Sequence, residues 1–277
     1  MDKQFWLSIK ENNFGFPAGY SVPTLTEELF TNLASTDPEL RDTIGLEAFY
    51  HWLKQGLYSE EDVRNFIPRL IANLQKGLGE TEDDSVFLRS FSALWLAVIV
   101  EHDIEKSILE REDIRSIVEA SLPYFTAERD LRGIVPVKGW AHAIAHTSDL
   151  FCALARNLHT DINDHIKILD SIADKLKNTT HWIYLYGEDG RLARTAIAVF
   201  IRETLSTDQI KDWLASLSAD WNGAWWDEGR TRAFFNSRNF LRAIHWRIPL
   251  LKVDKVPNKE TILKMLEDTL EQAEPWR

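Results

Sequence analysis

Apolar residues recur at three- and four-residue spacing along almost the whole chain, and strict alternation over four or more residues is rare. That period predicts helices and no extended sheet. The pattern places a short helix over about Lys3 to Lys10 and a loop over Phe14 to Pro23, where prolines and glycines cluster. A second short helix follows from Leu25 to Leu33. Asp37-Pro38 opens a longer one, with proline in the first turn where its missing N–H costs nothing. This helix carries Phe49, Trp52 and Leu53 and stops at Gly56. Ser59, followed by Glu60, Glu61 and Asp62, reads as an N-cap with acids favoured by the helix dipole. Further helices are expected to begin near Asp84, Glu112, Val137, Asp161, Asp189, Thr207, Asn236 and Asn258.

Paired in order, these segments form hairpins opening near residues 38, 85, 137, 188 and 236, a period of roughly 50 residues. Two-helix units of about that length bury their apolar faces against neighbouring units in helical solenoids. The expected fold is therefore all-α: stacked antiparallel helical hairpins in a HEAT/armadillo-like α-α superhelix. An irregular helical bundle accounts for the same helices. No low-complexity tract or polar linker interrupts the chain, so residues 1–277 read as a single all-helical domain.

The 277 residues are 44% hydrophobic, enough to bury a sizeable core. The 43 acidic residues outnumber 32 Lys and Arg, leaving a net charge of -11, which works against nucleic-acid binding because phosphate must be neutralised by cations. The single cysteine, Cys152, excludes an intrachain disulfide framework and any cysteine-rich zinc module. The first residues, MDKQFWLSIKENN, lack the pattern of a secretory signal. The apolar run Ala93 to Val100 falls well short of the ~20 residues that span a bilayer. A cytoplasmic protein with neither membrane nor nucleic-acid partners is the expectation.

Candidate chemistry concentrates between Asp130 and Leu150, where a loop containing Arg132, Gly133, Pro136, Lys138 and Gly139 leads into a helical pattern. At about 100° per residue, His142, His146 and Asp149 fall on one face, with Ala145 and Ala153 flanking them. Ala143, Ile144, Leu150, Phe151, Leu154 and Leu158 take the opposite side. A merely solvated face is usually filled with Lys, Glu and Gln, so histidine, aspartate and alanine suggest close approach by a helix or a ligand. Three readings follow. His142 and His146 have the i, i+4 spacing at which two imidazoles share zinc. Asp149 lies about 10 Å along the axis from His142, so a third ligand would have to come from Asp130, Glu101, His102 or Asp103. Alternatively, the histidines are architectural and donate to Asp130 or Asp149. The third reading is a polar pocket for a peptide, protein or small molecule, with Arg132 and Lys138 available for an anion.

The run Arg132-Gly133, then Gly139-Trp140-Ala141-His142-Ala143 and Ala145-His146 with Asp149 beyond, resembles the central motif of a bacterial family, domain of unknown function 2785. The likeness extends over most of the chain. It implies an all-helical cytoplasmic protein and a site around this motif, but no reaction. Thr147 departs from the family pattern, which has glycine after the second histidine, and narrows any close backbone approach there.

Elsewhere, Trp221-Asn222-Gly223-Ala224-Trp225-Trp226 and the following Arg232, Phe234, Phe235, Arg238, Phe240, Arg242 and Trp246 interleave arginine with aromatics. Packing is the more economical reading, with arginine stems lying over indoles, although Arg238 and Arg242 share a helix face. Gly187-Glu188-Asp189-Gly190 lacks the Lys-Ser/Thr of a phosphate loop, no Gly-x-Ser-x-Gly elbow occurs, and Cys152 reads as a packed thiol. No cofactor box is present. The favoured function is a binding protein that receives a peptide, protein or small anionic ligand in a polar groove around His142 and His146, with Asp130, Arg132, Gly139, Trp140 and Asp149 completing the site. The alternative is a metal-assisted hydrolase using His142, His146 and a carboxylate from another helix.

Overall fold

The structure is a computed structural model that describes residues 1–218, 227–252 and 256–272. It divides into two compact units, residues 1–150 and 151–277. Both are helical, and the described strands form a single two-stranded ribbon.

In the first unit, α1 (Lys3–Glu11) is capped by Asp2 and α2 (Val22–Asn32) by Ser21, whose side chains accept from Phe5 N–H and Thr24 N–H. The latter helix starts three residues before Leu25, with Pro23 in its first turn. The helix opening at Asp37-Pro38 is two elements. A π-helix (Glu39–Leu46) runs directly into α3 (Glu47–Lys54). Apolar spacing does not separate these two geometries, because both keep Ile44, Ala48, Phe49 and Trp52 on the buried side. Ser59 and Asp62 form a reciprocal capping box at the start of α4 (Glu60–Asn73).

Helix α5 (Ser85–Lys106) is the spine of this unit and packs on α3, α4, the π-helix and α6 (Arg111–Ala127). Among the described residues it is the one helix long and apolar enough to cross a membrane, and most of that stretch is buried within the protein. Val86, Phe87, Phe91, Trp95 and Ile99 are completely covered. The helix expected at Val137 begins later. Residues 134–140 instead form a hairpin of β1 (Ile134–Val135) and β2 (Gly139–Trp140), and α7 (Ala143–Arg156) follows. Leu158 lies beyond α7 and is 83% exposed, so it does not extend that helix's apolar face.

The second unit contains α8 (Ile162–Asn178), α9 (Glu188–Ile201), α10 (Thr207–Ser216), α11 (Glu228–Leu250) and α12 (Lys259–Gln272). Helix α11 packs against α8, α9 and α12. It starts at the Asp227 cap, well before the expected Asn236. Asn236 is buried within it, accepting from Tyr184 N–H and donating to the Trp182 carbonyl. Its polarity therefore satisfies a loop and does not mark a helix start. Trp221 to Trp226, the aromatic run singled out above, lies outside the described residues.

Candidate functional site

The hairpin turns through Val135-Pro136-Val137-Lys138, closed by Lys138 N–H donating to the Val135 carbonyl at 3.1 Å. Pro136 occupies the second turn position, and Val137, at φ +68°, the third, where glycine or asparagine is usual. A β-branched residue held in this conformation and 95% exposed is backbone strain of the kind found near functional sites. Beyond the turn, Ile134 pairs with Trp140 and Val135 with Gly139. Ala141 and His142 N–H then donate to the Gly133 and Arg132 carbonyls. These bonds commit the segment to a ribbon, which is why the helical pattern starts late.

His142 is not on the helix. It precedes α7 at φ +51°, and its carbonyl accepts the His146 N–H at 2.9 Å. Both imidazoles are buried, at 6% and 5% exposure. The His142 ring stacks on the Trp140 indole at 4.2 Å and meets the edge of His146, with centroids 5.7 Å apart. His146 in turn contacts Phe91 of α5, centroid to centroid at 4.7 Å. Thr147 and Ser148 are buried beside them, their hydroxyls donating to the Ala143 and Ile144 carbonyls. The face carrying the histidines is thus packed into the first unit, and the accessible member of the motif is Trp140, 37% exposed.

The charged residues are committed in pairs. Asp130 takes the Arg132 guanidinium at 2.6–3.1 Å, not an imidazole, and Arg132 also donates to the Asp83 carbonyl. The Asp130 hydrogen bond holds Arg132 above the usual guanidinium range. Lys138 Nζ lies 2.6 Å from Asp84. Neither cation is therefore set aside for the anion that the sequence suggests. Upstream, Arg89 and Glu128 form a buried two-point pair, and Glu128 accepts the N–H groups of Arg129 and Asp130. Burial pulls Arg89 down, but the Glu128 bond and charge more than offset it.

The residue that organises the hairpin is Arg41 of the π-helix, which sequence reasoning missed. Fully buried, it donates to the carbonyls of Ser35, Lys138 and Trp140 at 2.6, 2.7 and 3.1 Å. Its guanidinium lies over Phe87 at 4.1 Å and Phe91 at 4.8 Å. The available signal was an arginine in phase with the buried stripe of Ile44, Ala48 and Trp52. Gly139, at φ +76°, allows this approach: a Cβ there would meet Pro38 Cβ at 2.7 Å and Arg41 Nη2 at 3.3 Å.

Between the π-helix and the hairpin lies an open groove of about 540 Å³, a volume within the usual range for ligand clefts, about 300–1,000 Å³. One wall is Glu39, Asp42, Thr43 and Leu46, extended by Glu47, and the other is Gly139 and Trp140, with Pro38 between them. Burial pushes the Asp42 carboxyl up to about 6, the Arg41 charge only partly opposing it. The bond from Lys3 holds Glu39 below the usual range.

The hydrolase alternative needs a third metal ligand. Among the described residues, no group of three or more His, Cys, Asp or Glu side chains is placed to hold an ion. Asp103 instead accepts the Leu109 N–H at 2.7 Å, and burial pulls His102 down. Asp149, half-buried on α7, does not complete such a set. Cys152 is a buried thiol near the Arg194 carbonyl.

A family model described as Protein of unknown function (DUF2785) matches residues 74–246. The match includes α5 and the hairpin with its histidines and leaves the π-helix outside. No curated protein and no solved structure matches the chain.

Proposed function

Since the chain belongs to the DUF2785 family of proteins of unknown function, we propose that it acts by binding, with its ligand, a peptide, protein or small molecule, received beside the Gly139–Trp140 strand. One observation carries this reading: the motif's accessible aromatic residue lines a cavity of ligand size. Behind it, His142 and His146 act as packing that sets the indole. The hydrolase reading has two adjacent imidazoles in its favour but lacks the third ligand among the described residues. A cytoplasmic location and a single domain over 1–277 belong to the same proposal, as does stacking of the hairpins into a HEAT/armadillo-like superhelix.

Differential scanning fluorimetry of the full chain against amino acids, nucleotides, sugars, polyamines and short peptides tests the binding reading. At least one class is expected to raise the wild-type melting temperature by several degrees and that of Trp140→Ala by much less. A panel with no stabilising compound, or with equal shifts in both proteins, overturns it.

A further inference from the structure

We propose that the cavity beside Trp140 takes an organic cation, an alkylammonium or guanidinium group carried by a free polyamine or by a basic side chain of a peptide. This rests on the binding reading above and names its ligand class.

The indole of Trp140, stacked on His142 at 4.2 Å, lines the cavity, and an indole attracts ammonium and guanidinium groups electrostatically. Opposite it, the Asp42 carboxylate is only partly exposed, has Arg41 at 3.8 Å as its charge partner, and accepts no hydrogen bond among the described residues. Arg41 directs its donors to the backbone carbonyls of Ser35, Lys138 and Trp140, so the carboxylate of Asp42, which lines the cavity, keeps its acceptor capacity. Glu47 has only His51, at 3.7 Å, as a charge neighbour among the described residues. Glu39 is the exception, already held by Lys3 at 3.1 Å and Lys10 at 3.6 Å. The motif's own cations, Arg132 and Lys138, are spent on Asp130 and Asp84. An anion would meet Asp42 and Glu47 with no cation set aside for it, whereas a cation satisfies both and gains the indole. The net charge of -11 favours the same encounter at long range.

Isothermal titration of the full chain at low salt with spermidine, and separately with a short Lys/Arg peptide, tests the proposal. Tri-acetylated spermidine and a glutamate peptide serve as uncharged and anionic comparisons. At least one cation is expected to bind while both comparisons do not. Asp42→Asn combined with Glu47→Gln should weaken that binding tenfold or more, and Trp140→Ala more than Trp140→Phe. Glu119→Gln, an exposed acid paired with Arg115 on α6, should leave it unchanged. Melting temperatures read in parallel separate lost binding from lost folding. Binding of spermidine alone identifies a free amine as the source, and binding of the peptide alone a basic side chain. Equal weakening in Glu119→Gln would reduce the effect to net charge and overturn the proposal. A neutral or anionic ligand that depends on Trp140 would overturn the cation while leaving the binding reading intact. The absence of any Trp140-dependent ligand would remove both.

Discussion

At the scale of single residues, Asp42 has the clearest thermodynamic consequence. Its carboxyl is raised from 3.8 to about 6, chiefly by burial, so the folded chain binds this proton more tightly than the unfolded chain. Stability from this group is therefore fully present below pH ~4, falls as pH rises towards 6 and is absent above it, a loss of about 2–3 kcal/mol. Asp42→Asn is expected to stabilise the protein at pH 7 by about 1–2 kcal/mol, with the gain vanishing near pH 4. Urea unfolding at both pH values checks this, and an equal effect at the two would show that the ionised carboxylate is not what costs stability. A group that weakens the fold when ionised and faces a cavity fits a site optimised for binding over stability. The neighbouring residues divide by legibility. His142 and His146 stood out in the sequence because imidazoles among alanines are unusual. That they are buried agrees with the architectural reading; what the sequence did not show is that His142 precedes the helix at a positive φ, so the helical wheel that placed it on a helix face does not apply to it. Arg41 was hidden for the opposite reason, since a charged residue is normally assigned to solvent.

The strand–turn–strand ribbon is the element on which the site depends, and its hold on the π-helix can be measured. Gly139→Ala adds a Cβ at 2.7 Å from Pro38 and places alanine at φ +76°. The cost is expected at about 2–4 kcal/mol, lowering the melting temperature by roughly 5–10 °C. Gly19→Ala has a similar φ, +85°, and nothing within 4 Å. It should therefore show the backbone cost alone, about 1 kcal/mol. Equal losses from the two variants would mean that the hairpin is not pressed against Pro38. Helix starts were readable where local signals mark them, as at the Ser59 cap, and the starts expected near Glu112, Asp161 and Thr207 lie within one residue of those observed. They were misplaced where a polar residue served a distant partner, as Asn236 does, or where a turn consumed the donors, as around Val137. The π-helix was invisible because Arg41, Ile44, Ala48 and Trp52 follow the three- and four-residue spacing of an α-helix, although such segments mark functional positions more often than chance.

For the whole molecule, all-helical architecture follows from the chain-long periodicity, and both compact units bear it out. Small-angle scattering of the full chain tests the proposed superhelix. A radius of gyration clearly above the ~19 Å of a compact chain of this length supports it, and a value at ~19 Å removes an open one. The sequence by itself determined the helical class and the family motif, because periodicity, caps and unusual residue types are local properties. Tertiary structure alone decided which members of that motif are accessible and what faces them. Arg41, Pro38 and Asp42 lie about 100 positions upstream of Gly139 and Trp140, and no local rule connects them. Burial of one guanidinium beneath the hairpin backbone brings them together, so that carboxylates and an indole line the same groove.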